Sequence, residues 1–189
     1  MSEPVMPTTS FRLLHDAGAC KERYRFLAKA LGGIKAYGRD TPITLLQILN
    51  INGLDDALWA LRACPDSDTF ARLLACDYAE HVLPIFETQY PDDDRPRKAI
   101  EVSRRYARGE AIEAELTAAW NAAEAAWAAA ETTAWAAAET AAWADAWAAA
   151  WAAAWADAWA AGGAWNAAEA AERTWQEARL RELLERGQE

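Results

Sequence analysis

Two groups of residues are the natural places to look for chemistry. Asp77 and His81 are four apart and share one face of any helix that holds them, with Glu80 and Glu87 nearby. A carboxylate beside an imidazole suits proton transfer or metal binding. Zinc, however, wants three or four ligands, and neither a third histidine nor a paired cysteine accompanies the cluster. A half-buried histidine paired to Asp77 is the simpler reading. The second group, Asp92, Asp93, Asp94, Arg95, Arg97 and Lys98, is a dense charged corner. As an active site it would need an apolar cleft to shift a pKa. As structure it places acids at the positive end of a helix and bases just inside. Structure is the favoured reading, with Asp77, His81, Asp94, Arg95, Arg97 and Lys98 as a possible binding surface. His15-Asp16 is a weaker pair.

Other chemical signatures are missing. The chain contains no GxSxG elbow, Walker loop, dinucleotide fingerprint, HExxH or zinc-knuckle spacing. Cys20, Cys64 and Cys76 are odd in number and fit no metal or redox spacing, so they read as thiols in a reducing compartment. No catalytic residue, cofactor or metal is expected.

The elements that must position these residues read as helices. Thr8, Thr9 and Ser10 offer capping hydroxyls before a helical pattern from Phe11 to Leu31, which Gly18 interrupts and Gly32-Gly33 stops. Residues 34–40 read as a loop. Thr41-Pro42 reads as a cap followed by proline at the first helical position. The short apolar helix that follows ends at Asn52-Gly53. Asp55 and Asp56 then open a helix with Leu54, Leu58, Trp59 and Leu61 as its core face. A further helix is predicted from Thr69 to about Glu80, with Pro84 kinking or restarting it. The next begins near Arg95-Pro96 and ends at Gly109. No segment alternates with period two, so no sheet is expected. The fold class is all-α: a compact multi-helix domain over residues 1–109, then an Ala/Trp-rich helical tail over 110–189.

That tail breaks from ordinary composition. Of eleven tryptophans, all but Trp59 lie between Trp120 and Trp175. Neither Pro nor Gly occurs from Ala111 to Ala161, so one helix of roughly 75 Å is expected before a break at 162–163. A shorter helix follows and can fold back as a hairpin. The spacings of Trp120, Trp127, Trp135, Trp143, Trp147, Trp151, Trp155 and Trp159 run seven, eight, eight and then four throughout. Steps of four drift by ~40° each around a helix, so no single flat contact buries every ring. Burial favours shelter for such rings, which points to packing and self-association along an alanine-lined face. A low-complexity expansion folded back on its own domain is the plainer alternative.

Charge narrows the partners. Residues 1–108 hold fifteen Lys/Arg and fifteen Asp/Glu, whereas residues 109–189 hold four and fourteen, so the net charge of −10 arises in the tail. An acidic tail repels phosphate backbones, so no nucleic acid is expected. The best apolar window, Ala146–Ala156, is shorter than the ~20 residues of a span, and the tail lacks the basic face that anionic lipid attracts, so no membrane is expected. With no leader pattern at MSEPVMPTTS, the expected location is cytoplasmic.

A likeness adds a functional expectation. CDYAEHVLPIFE over residues 76–87, YPDDDRPRKAIE over 90–101 and YARGE over 106–110 resemble a family of bacterial immunity proteins (immunity-five-like). The likeness covers residues ~70–125. YGRDTPI over 37–43 and NGLDDALWALR over 52–62 look like a module of phage and prophage proteins that often end in Ala-rich repeats. The resemblance implies a non-enzymatic protein of conflict systems that binds a toxin or a defence component. The Trp-rich tail departs from the family and puts a shared partner in doubt. Partners are therefore the chain itself, through the tail, and an unidentified protein. Two further readings follow from the same residues: a phage accessory protein whose tail packs into a larger assembly, and an enzyme using Asp77, His81 and the Arg95–Lys98 corner.

Overall fold

The computed structural model describes residues 6–126, 128 and 169–187. Among them the chain is all-α, apart from two short strands: β1 (Thr8–Thr9) and β2 (Ile43–Thr44). The helices are α1 (Phe11–Asp16), α2 (Lys21–Ala30), α3 (Ile34–Tyr37), α4 (Leu45–Asn52), α5 (Leu54–Ala60), α6 (Asp68–Gln89) and α7 (Arg95–Ala107), followed by α8 over 113–126 and α9 over 169–186. A 3-10 turn, Leu61–Ala63, follows α5. The chain divides into two compact units: Met1–Leu74 with Thr174–Glu189, and Ala75–Arg173.

The first unit is built on local stops and a small apolar core. Ser10 caps α1 by accepting from the Leu13 N–H at 3.2 Å. Gly18, with φ of 80°, separates α1 from α2. At the far end of α2 the N–H of Gly33 reaches the Ala28 carbonyl and that of Gly32 the Lys29 carbonyl, which satisfies two orphan acceptors in a left-handed cap. Phe11, Ile43, Leu45 and Ile48 are fully buried, and so are Leu180 and Leu184 from α9. Each such side chain contributes about 1.5–3 kcal/mol on leaving water. The Phe11 ring meets Tyr24 and Tyr37 edge-on, with centroids 5.5 and 5.8 Å away, and the Tyr24 hydroxyl donates to the Phe11 carbonyl. The end of the chain thus belongs to the core of its beginning.

Several local expectations are corrected here. A sheet does form: Thr8 pairs with Thr44 and Thr9 with Ile43, antiparallel. Two residues per strand are too few to show alternation, so no periodicity announced it. That pairing holds Ile43 extended, and the helix starts later than Thr41-Pro42 implied. Thr44 is the cap, accepting from the Gln47 N–H while the Gln47 side chain accepts from the Thr44 N–H. Residues 34–37, read as loop, close one helical turn. On α5 the buried positions are Leu54, Ala57 and Ala60, with Leu58, Trp59 and Leu61 only partly covered.

In the second unit, α6 continues through Pro84 rather than stopping near Glu80. The proline lacks one donor, and the Thr88 hydroxyl caps the Pro84 carbonyl at 2.7 Å. Tyr90 and Asp93 turn the chain back, Pro96 sits in the first turn of α7, and Gly109 ends that helix at φ of 75°. The N–H of Glu110 completes this cap on the Arg105 carbonyl. Leu83, Cys76 and Ser103 are buried, and the Cys76 thiol points at the Ile100 carbonyl, 3.9 Å away.

Candidate functional site

The charged groups singled out above lie on α6, α7 and the turn between them, and Arg97 and Arg104 of α7 pair across to α6. Arg104, on the inner side of α7, gives Nη2 to Asp77 Oδ1 at 2.8 Å and to Glu80 Oε2 at 2.6 Å. One guanidinium therefore ties two acids that stand three apart on α6. Asp77 is only 12% exposed at its side chain, so this contact is well sheltered. Farther along, Arg97 grips Glu87 with two parallel bonds, Nε to Oε1 at 2.6 Å and Nη2 to Oε2 at 2.7 Å. That fork is the strong, geometrically specific form of the pair.

The corner before α7 is satisfied within itself. Asp93 accepts from the Arg95 Nε at 2.8 Å and from the Arg95 N–H at 3.2 Å. Lys98 Nζ lies 2.7 Å from Asp94 Oδ2, one turn apart. His81 projects from α6 with Nδ1 2.9 Å from Glu172 Oε2. A carboxylate only accepts, so Nδ1 carries the proton in this contact. The expected joint site is thus distributed: Asp77 is held by Arg104, His81 by Glu172, Arg97 by Glu87, Arg95 by Asp93 and Asp94 by Lys98.

Electrostatics follow from these contacts. Hydrogen bonds from Arg97 hold the Glu87 carboxyl below its ordinary range, and Arg95 does the same to Asp93. Arg104 loses hydration by burial, yet its bonds to Asp77 and Glu80 prevail and raise its pKa. Burial first, and then the nearby Asp77 and Glu172, push the Tyr78 phenol up to about 12. Glu87 and Asp93 are fixed anions at neutral pH, and a general acid or base needs a pKa near the working pH. The arrangement holds shape. Among the described residues, no group of three or more His, Cys, Asp or Glu is placed to hold a metal ion.

The same helix α6 carries an apolar spot that charge-centred reading passed over. Val82 and Ile85, three apart on α6, are exposed, Ile85 by 72%. The sequence carries them as two large aliphatics inside HVLPI. Trp120 on α8 is likewise 64% exposed. Trp127, Trp135, Trp143, Trp147, Trp151, Trp155 and Trp159 lie outside the described residues. Among the described residues no helix is long and apolar enough to cross a membrane.

A family model described as Imm-5 like putative immunity protein matches residues 69–183. The matched stretch takes in α7 and α8 whole and nearly all of α6, with every charged pair just described, and leaves out α1 to α5. Neither a curated protein nor a solved structure matches the chain.

Proposed function

We propose that this chain, which belongs to the Imm-5 like putative immunity protein family, is a non-enzymatic inhibitor that neutralises a toxin or defence component by binding it. Its setting is the conflict between phage or prophage and bacterium. The single observation that carries the reading is the coincidence of the family match with the α6–α7 hairpin and its exposed aliphatic pair. Val82 and Ile85 offer an apolar centre of the kind found in protein–protein interfaces, and the ion pairs to α7 lie on another side of α6. The pairs also keep both helices in register, so the surface is preorganised and little ordering cost falls on the encounter.

The Ala/Trp tail serves self-association in this reading. Trp120, exposed on α8, is the first ring of the series. Apolar contacts between tails would raise the local number of recognition surfaces without adding chemistry.

The test is capture of the partner from the native host with tagged full-length protein, identification by mass spectrometry, and co-expression. The captured protein should arrest growth alone and be silenced by this chain. Ile85→Asp should lower affinity at least a hundredfold while leaving the fold intact, as expected of a central interface residue. A captured protein whose toxicity is unaffected by this chain, or an Ile85→Asp variant that protects fully, contradicts the proposal.

A further inference from the structure

The outer face of α2 carries charge that the molecule does not use. Lys21, Arg25 and Lys29 repeat every fourth residue along one side of the helix, and all three are exposed. Among the described residues none of them has an ion pair, whereas Arg23, on another side of the same helix, is bound to Asp56 at 2.8 Å. Phe26 stands beside this row and is 54% exposed. The only acid on the face is Glu22. Lys35, exposed on α3, adds a further positive charge. An aromatic ring among unpaired bases is a poor solvated surface and a good receptor for an acidic one.

The complementary surface is on α8. Glu113, Trp120 and Glu124 fall within about 40° of one another around the helix, given 3.6 residues per turn. Both glutamates are exposed and have no ion pair among the described residues, and Trp120 is 64% exposed. The three bases span ~12 Å along α2 and the two acids ~16 Å along α8, so the rows match in length. The surrounding sequence deepens the contrast, since no Lys or Arg occurs between Gly109 and Glu172.

We propose that the α2 face of one molecule docks on the α8 face of a second copy, head to tail. Lys21, Arg25 and Lys29 meet Glu113 and Glu124, and Phe26 packs with Trp120, over whose ring a base from α2 can sit. The two patches differ, so the contact joins unlike faces of two copies. Two helix faces bury less than the ~1,200 Å² of a standard stable interface, so the contact is weak and strongly dependent on salt. It is distinct from the apolar tail association proposed above, which salt does not weaken.

Sedimentation velocity on the full chain tests this, starting with the unmodified protein. Association at micromolar to submillimolar concentration should weaken at least tenfold between 50 and 500 mM NaCl. A triple variant, Lys21→Glu with Arg25→Glu and Lys29→Glu, should be monomeric with respect to this contact. So should a double variant, Glu113→Lys with Glu124→Lys. Mixed together they should associate again, because each now offers what the other lacks. Among the described residues the substituted side chains are exposed and have no ion pair, so folding is spared, and the salt series needs no variant at all. A monomer at low salt, association unchanged at 500 mM, or a mixture that stays apart overturns the proposal.

Discussion

Helices α2 and α7 are both rich in bases, yet they spend them differently. On α7, Arg95, Arg97, Lys98, Arg104 and Arg105 each have a carboxylate partner. Among the described residues only Arg23 on α2 has one, and Lys21, Arg25 and Lys29 are exposed without one. The difference teaches that charge on this molecule plays two parts. Paired charge fixes the geometry of the hairpin that presents Val82 and Ile85. Unpaired charge is available to something outside.

Breaking the seat of α2 should have the largest effect. Phe11→Ala removes the ring against which Tyr24 of α2 packs and should cost about 3–5 kcal/mol in chemical denaturation. Leu180→Ala, also fully buried, should cost about 2–5 kcal/mol, which would show that the end of the chain is structural for its beginning. Arg104→Ala comes next. It removes the guanidinium that the sheltered Asp77 shares with Glu80 and should cost about 1–3 kcal/mol, read as earlier unfolding of the hairpin. Acid sharpens the same contrast. The carboxyl pKa values of Glu87 and Asp93 are lowered on folding, so their stabilisation is present above the ordinary carboxylate range and is lost as pH falls through and below it. Melting curves from about pH 5 to about pH 2 should show that decline. Arg97→Gln and Arg95→Gln should flatten it. Reversing the three free bases of α2 should be the mildest change, within about 0.5 kcal/mol of the parent by thermal melting.

How much of this was legible in the chain depended on the range of the interaction. The stops at Gly32-Gly33, Asn52-Gly53 and Gly109, and the start at Arg95-Pro96, depend on backbone preferences within a few residues, and each fell where read. The Thr44 cap did not, because it is set by Thr9 pairing with Ile43 from the far side of three helices. Pro84 seemed a boundary since local chemistry disfavours it, but packing carried α6 through. The charged site was half visible. The residues were found from their types, whereas Arg104 for Asp77, and Glu172 for His81, stand 27 and 91 residues away, beyond any helical spacing. Ile85 was hidden for a different reason: hydrophobicity marks a residue for burial unless the fold leaves it outside.

The thiols offer an independent check on burial. Cys20 is exposed, while burial pushes the Cys64 thiol up to about 12. At about pH 9 an alkylating reagent should label Cys20 at least tenfold faster than Cys64 or the buried Cys76, with the difference vanishing in denaturant.

Once the target is in hand, calorimetric titration of the parent, Ile85→Asp and the α2 triple reversal against it separates the two faces most directly. In the two proposals the α6 face serves the target and the α2 face a second copy. Ile85→Asp should therefore lose at least a hundredfold in affinity, while the triple reversal binds as the parent does. Loss of target binding by the α2 variant with retention by Ile85→Asp would contradict the assignment.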